Sequence, residues 1–217
     1  MPRKKRIFFD LKKIWEQVPP DYYANGIKKN FLQRFWHKNK LKLIISLIGI
    51  DKKIKILDLG CAGGFITYGI SKNYPEAQVY GLDVYKKAIL YARKKYPKIR
   101  FFIGDGHKLP FSNGSFDLIV CSETLEHVTN PKQVLKEMQR CLSKKGQIIV
   151  TMDSGNILFS IAWFFWVRMK GKVWRNSHLH KFNVKVLESL ILESGFKIKS
   201  SERFNLSMAI AFLAEPI

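Results

Sequence analysis

The most constraining feature is a glycine-rich turn that follows directly on a short apolar strand. Residues Ile54–Leu59 read as a strand, and Asp58-Leu59-Gly60-Cys61-Ala62-Gly63-Gly64 closes it before a helical stretch at Phe65–Asn73. Glycines there let the backbone turn tightly and approach a ligand without a Cβ clash. The helix that follows offers free N–H groups at its start. Taken alone such a turn is weak evidence of what is bound, since nicotinamide-dependent enzymes share it, and the later strand ends must decide.

The pattern then repeats. Strands are predicted at Gln78–Val84, Ile99–Ile103, Phe116–Cys121 and Gln147–Met152, with helices at Tyr85–Lys95 and Pro131–Leu142 between them. Lys144-Lys145-Gly146 reads as a turn. A last helix, Val184–Ser194, is closed by Gly195. Phe196–Phe204 and Met208–Ala214 read as a terminal hairpin. Strands alternating with helices imply a mostly parallel sheet covered on both faces. The expected fold is therefore α/β, Rossmann-like and doubly wound, with seven strands and an antiparallel C-terminal strand. Residues 51–217 form this domain. Residues 1–50 form a helical extension of it, with Gly26–Gly49 carrying apolar residues near the helical period and Pro19-Pro20 interrupting the chain before it.

Four strand ends carry the chemistry. Asp58 and the glycine turn end the first strand. Asp83 and Val84 end the second, where an acid can accept both ribose hydroxyls. Asp105-Gly106 follows the third, and Ser122-Glu123 the fourth. All four lie on the carboxyl edge of the sheet, where doubly wound folds bind ligands. Asp58 and Asp117 taken singly are equally readable as strand-end turn formers.

These stretches resemble the class I S-adenosylmethionine-dependent methyltransferases, in particular the group that includes ubiquinone- and menaquinone-methylating enzymes. The resemblance rests on Ile56–Gly64, Gly81-Leu82-Asp83, Gly104–Phe111, Ser115–Val120, Leu125-Glu126-His127-Val128 and Leu142–Ile149. It covers Lys53–Met152 well and Phe182–Ala214 loosely. It implies that Gly60, Cys61 and Gly64 wrap the methionyl part of S-adenosylmethionine, that Asp83 holds the ribose, that Asp105 meets the adenine amino group, and that Ser122 lies beside the sulfonium. One departure is Ala62, where the family usually has glycine; its methyl group is expected to be tolerated.

For the acceptor side the candidates are Glu123, Glu126 and His127, with spacings of three and four that converge on one side of a loop-to-helix segment. His127 is the candidate acid–base group, and a buried structural histidine is the plain alternative. Glu123, Glu126 and His127 with the later His180 also resemble the ligand set of metal-assisted O-methyltransferases, so a divalent metal is the less favoured alternative. The acceptor pocket is expected around Tyr22, Tyr23, Trp36 and His37 and an apolar insert within residues 153–181. That insert holds Ile157–Val167, with Trp163-Phe164-Phe165-Trp166 in succession. It is shorter than the roughly 20 apolar residues a bilayer span needs. Basic residues follow it, which suits an interface, an apolar substrate lid or a core helix sealing the sheet edge.

Charge enters here. The 217 residues hold 38 Lys and Arg against 17 Asp and Glu, a net charge of +21. Such an excess attracts anionic partners; a generally lysine-rich background explains it equally. The N-terminal Arg3-Lys4-Lys5-Arg6 cluster reads as a solvated tail, with a nuclear address as the alternative, and no secretory apolar run follows it. Three cysteines, at 61, 121 and 141, form no spaced framework and fit reduced thiols in the cytoplasm. The reading is a methyltransferase acting on oxygen or carbon of a small-molecule or lipid-like acceptor, anionic or amphiphilic, in the cytoplasm or peripheral on a membrane. Its alternatives are an RNA methyltransferase, disfavoured by the lack of an RNA-binding module or an Asn-Pro-Pro-Tyr-type stretch, and a non-catalytic cofactor-binding subunit.

Overall fold

A computed structural model describes residues 17–49, 53–169, 171, 174 and 178–217. The basic cluster at residues 3–6, and the helix read from residue 7, lie outside the described residues up to residue 16. A seven-stranded sheet has the order β3-β2-β1-β4-β5-β7-β6. Its strands are β1 (Lys55–Leu59), β2 (Gln78–Asp83), β3 (Arg100–Ile103), β4 (Phe116–Ser122), β5 (Leu142–Asp153), β6 (Phe196–Phe204) and β7 (Ala209–Pro216). β1 to β5 pair in parallel, and β7 runs antiparallel to both neighbours. The order reverses between β1 and β4, which opens a crevice at their carboxyl ends.

The helices are α1 (Tyr22–Lys29), α2 (Phe31–Leu47), α3 (Phe65–Asn73), α4 (Lys86–Lys95), α5 (Pro131–Cys141), α6 (Ile157–Met169) and α7 (Val184–Glu193), with a short 3-10 turn at Leu125–His127. Asparagines start four of them. Asn30, Asn130, Asn156 and Asn183 each accept a bond from the N–H three residues on, satisfying a donor that the first helical turn leaves free. Pro131 follows its cap, where a missing N–H costs nothing. The break at Asn30 divides into two helices what the apolar period suggested was one.

The core lies on both faces of the sheet. Leu57, Ile119, Leu135, Met138 and Phe212 anchor one side; Ile44 of α2 packs with Ile56, Ile70 and Ile149 on the other. The central strands are apolar on both faces, as parallel strands covered by helices must be. Two boundaries differ from the sequence reading. Leu142–Gly146 is the start of β5 rather than a helix end and a turn, because Leu142 pairs with Phe116 across a register shift and Ser143 Oγ donates to Asp117 Oδ1 at 3.0 Å. And α6 does not seal the sheet edge: of its residues Val167 alone is buried. No described helix is long and apolar enough to cross a membrane.

Candidate active site

The turn after β1 is built around residues that must leave the ordinary backbone regions. Gly60 has φ +79°, and a Cβ there would come 2.1 Å from Thr124 Oγ1. Gly64, at φ +80°, starts α3. Ala62 itself sits at φ +45°, a left-handed conformation that an alanine adopts at some cost. Its N–H donates to Asp83 Oδ2 at 2.8 Å, and Tyr85 N–H donates to Asp83 Oδ1 at 2.8 Å. Asp83 therefore holds the turn after β1 and the start of α4 together, and each carboxylate oxygen keeps a lone pair for a ligand hydroxyl. Burial pushes its carboxyl upward.

Asp58 is not at the ligand surface. It is buried beneath the turn, accepts from Thr67 Oγ1 at 2.6 Å, and burial raises it to about 6. Its role is to fasten α3 to β1.

A cleft on this edge is lined by Gly60, Ala62, Gly63, Asp83, Val84 and Asp105-Gly106, among others. Val18, Pro19 and Pro20 of the N-terminal extension close it from above. Asp105 Oδ1 is engaged by His107, whose N–H donates at 2.9 Å and whose Nδ1 lies 2.6 Å away. Cys61 and Gly64 support the turn from behind: Cys61 is buried against Ile89 and Phe101, and burial keeps its thiol protonated. Ser122 is bonded to the Thr151 hydroxyl at 2.8 Å and lines neither this cleft nor its neighbour.

A second cavity, of about 300 Å³, lies alongside. Tyr22, Tyr23, Trp36 and His37 line one side, and Phe159, Trp163, Trp166, Trp174 and His178 the other. Its rings are in mutual contact. Phe159 stacks on Trp163 and Trp163 on His178, and His178 meets His127 at 5.0 Å between centroids. The cavity shares four residues with the first cleft: Tyr23, Glu123, His127 and Trp174.

The electrostatics divide the acids. Glu123, at φ +48°, takes 2.8 Å and 2.7 Å bonds from Trp36 Nε1 and Lys40 Nζ. Although burial opposes it, the Lys40 charge, with His37 and the same two hydrogen bonds, holds its carboxyl down at about 2. Glu126 is 3% exposed and its Oε2 has no hydrogen-bond partner among the described residues; burial, with the Glu123 charge, lifts it to about 8. Asp153, on the same cavity wall, is raised to about 7 by burial and by Glu126 and Glu123. His178 is lowered to about 4 by burial, so it is neutral near pH 7. Near pH 7 the cavity thus presents one fixed anion at Glu123, a mostly protonated Glu126, an Asp153 close to its midpoint and a neutral His178 imidazole.

Glu126, His127 and His178 each bring one ligand atom within 4.8 Å of the others. His180 is elsewhere: its Nε2 bonds to the Val128 carbonyl at 2.9 Å. The ligand set read from the sequence named His180; His178, two residues earlier, is the one that reaches the cluster, and Glu123 is not part of it. Trp174 falls within the insert expected to line the pocket; Asp153, the last residue of β5, and Met208, before β7, carry no local signal, since the sheet brings together there residues far apart in the chain.

Known proteins with similar chains fit this geometry. A methyltransferase-domain family model matches residues 50–165. The demethylmenaquinone methyltransferase of Thermotoga maritima is 25% identical over 212 residues, covering 93% of this chain and 91% of that one. That of Chlorobaculum parvum is 27% identical over 137 residues, covering 63% of this chain and 56% of its own length. In fold, the chain is similar to an S-adenosylmethionine-dependent methyltransferase from Aquifex aeolicus, with a TM-score of 0.69 at 15% identity, covering 95% and 98% of the two chains. The glycine turn, the doubly bonded Asp83 and the cleft at the sheet's switch point fit a nucleoside-bearing cofactor, and with more than half of the sequence matched, the chain belongs to the methyltransferase-domain family and is a class I S-adenosylmethionine-dependent methyltransferase.

Proposed function

We propose that this enzyme methylates an oxygen or carbon of an amphiphilic, ring-bearing acceptor, of the quinone-precursor kind named for its Thermotoga and Chlorobaculum relatives. The observation that carries the reading is the junction of the two cavities at Tyr23, Glu123, His127 and Trp174. S-adenosylmethionine, when bound, supplies an electrophilic methyl group. In our reading Asp83 accepts the ribose hydroxyls, Asp105, Gly106 and Val84 border the adenine, and Gly60 and Ala62 let the methionyl part lie close. Cys61, Gly64 and Asp58 act by holding that turn, and Ser122 by holding the end of β4.

On the acceptor side, the stacked rings select a flat apolar group. His127, at the junction, receives the proton released as the acceptor reacts. Glu126, protonated at neutral pH, donates a hydrogen bond to an acceptor oxygen, and Glu123 keeps Trp36 and Lys40 in place. An acceptor of this kind resides in lipid, which puts the enzyme at the cytoplasmic surface of a membrane. A nucleic acid is the weaker reading, because an apolar cavity lined by rings has no groove for a phosphate backbone.

The test is transfer of labelled methyl groups to a cell extract that is then separated into lipid, RNA and protein. Label should enter the lipid fraction, and His127→Ala should abolish it. Label in RNA would refute the acceptor assignment. A second reading rests on the trio Glu126, His127 and His178, whose spacing suits a divalent cation. Loss of turnover in chelator, restored by Mg²⁺, Mn²⁺ or Zn²⁺, would establish it in place of proton transfer by His127.

A further inference from the structure

The mouth of the acceptor cavity is framed by three segments that are tied to one another. The β6–β7 turn carries Asn205, Leu206 and Ser207, all at positive φ. Asn205 Nδ2 donates to the Trp36 carbonyl of α2 at 3.2 Å, while Ser154 Oγ and Asn156 Nδ2, at the start of α6, both donate to the Ser207 carbonyl, at 2.8 and 2.9 Å. Turn, α2 and α6 thus form one braced frame. Leu206, Leu32 and Phe35 line the cavity from this frame, opposite Ala162 and Trp163.

What the frame turns outward is apolar. Phe31 is 72% exposed at the start of α2, Leu206 71% at the turn, and Ile161 and Phe165 52% and 57% on the outer face of α6. Leucine is disfavoured at positive φ and disfavoured in water, so Leu206 is held there against both preferences. Soluble proteins rarely leave such a collection in contact with water.

The same segments are free of negative charge. Residues 22–49 include Lys28, Lys29, Arg34, Lys38 and Lys42, besides the buried Lys40 that pairs with Glu123, and no Asp or Glu; residues 154–187 include Arg168, Lys170, Lys172, Arg175, Lys181 and Lys185 and no Asp or Glu. Arg168 lies over the Phe164 ring, 3.3 Å from its centroid. Apolar side chains at acyl depth with cations at headgroup depth are how a protein lies on an anionic bilayer. α6 has 13 residues, about 20 Å at 1.5 Å each, against the roughly 30 Å of a hydrocarbon core. It can lie in the interface and not cross it.

We infer that the rim formed by α6, the start of α2 and Leu206 docks onto an anionic phospholipid surface, so that the acceptor cavity opens directly into the membrane interface. This rests on the reading of that cavity as the acceptor site and adds the route by which the acceptor arrives: sideways from the lipid, without crossing water.

The experiment is co-sedimentation of the full chain with phosphatidylcholine vesicles and with vesicles containing phosphatidylglycerol, for the wild type, for Ile161→Ser/Phe165→Ser and for Phe31→Ser. These residues line neither cavity, so S-adenosylmethionine binding, followed by calorimetry, serves as the control for folding. We expect binding to the anionic vesicles, weakening with salt, and at least tenfold weaker for Ile161→Ser/Phe165→Ser at unchanged cofactor affinity, the scale of losing one or two buried apolar side chains. Failure of the wild type to bind anionic vesicles, equal binding by the folded variants, or a dimer in sedimentation that Phe165→Ser dissolves would each overturn the proposal. Wild-type protein that sediments with vesicles yet binds no cofactor would instead refute the cofactor site.

Discussion

Lys40 Nζ lies 2.7 Å from Glu123 Oε2, and the lysine side chain is only 5% exposed. The pair joins α2 of the N-terminal extension to the end of β4, across the wall between the two cavities. Removing one member of a buried pair leaves the other charge without compensation. Lys40→Met should therefore cost about 2–4 kcal/mol, somewhat less than the roughly 3–5 kcal/mol of a fully buried pair because Glu123 is 23% exposed. The double variant Lys40→Met/Glu123→Gln should recover most of the loss in urea denaturation. Since Glu123 is held down near 2, below its unfolded value, the stabilisation is present above that unfolded value and disappears as pH falls toward about 2. If the single variant were as stable as the wild type, the pair would not be what holds the extension to the sheet.

Asp83 bonds the turn and the next helix at once. Asp83→Ala should weaken S-adenosylmethionine binding by roughly 1.5–3 kcal/mol, the loss of charge-assisted bonds. Calorimetry measures it, and no detectable binding by the wild type at millimolar cofactor would contradict the assignment of this cleft.

Ala62 invites a stabilising change. Its left-handed backbone costs alanine about 1–2 kcal/mol, and glycine gives back about 0.5–1 kcal/mol through its freer unfolded state. Ala62→Gly should thus stabilise the fold by about 0.5–1 kcal/mol with cofactor affinity unchanged, as measured by thermal melting with and without cofactor. A destabilised variant would mean that the methyl group packs usefully.

Glu126 sets a pH signature. Its folded value of about 8 lies above its unfolded one, so the native state holds a proton that the unfolded chain has already released. Stability from this site is full below the ordinary glutamate value and is lost as pH rises toward 8. Glu126→Gln, which keeps the neutral shape, should melt higher than the wild type at about pH 9, by the equivalent of about 5 kcal/mol, and the gap should close near about pH 4. Parallel melting curves for the two proteins across that range would show that Glu126 is ionised in the folded state.

The carboxyl edge of the sheet was legible in the sequence because each part of it is local. A strand, the turn that ends it and the acid at its tip lie within ten residues, and hydrophobic period and glycine placement report on that length of chain. The acceptor side is assembled otherwise. Leu179 N–H donates to the Glu126 carbonyl at 2.8 Å, and this pairing brings His178 beside His127 while His180 turns to Val128. No pattern within either stretch encodes that choice. The Leu142–Gly146 boundary failed for a similar reason: Lys-Lys-Gly suggests a turn locally, and pairing with Phe116 makes it strand. The apolar helix α6 was legible as exceptional, and its sequence did not say which face would meet the cavity.

Val18 to Tyr23 wall both cavities. Val18, Pro19 and Pro20 roof the cofactor cleft, and Tyr22 and Tyr23 line the acceptor side. The Val18 carbonyl accepts from Tyr85 Oη at 2.8 Å, and the Pro20 carbonyl sits so close over Gly63 that an added Cβ would meet it at 2.8 Å. One stretch of chain thus borders both cavities, so a displacement of it to admit a donor would also move a wall of the acceptor side. The expected outcome is ordered turnover, with the donor binding before the acceptor and the spent donor leaving last. Product-inhibition kinetics should show the demethylated cofactor competing with S-adenosylmethionine and not with the acceptor, whereas random-order patterns would mean that the two entrances open independently.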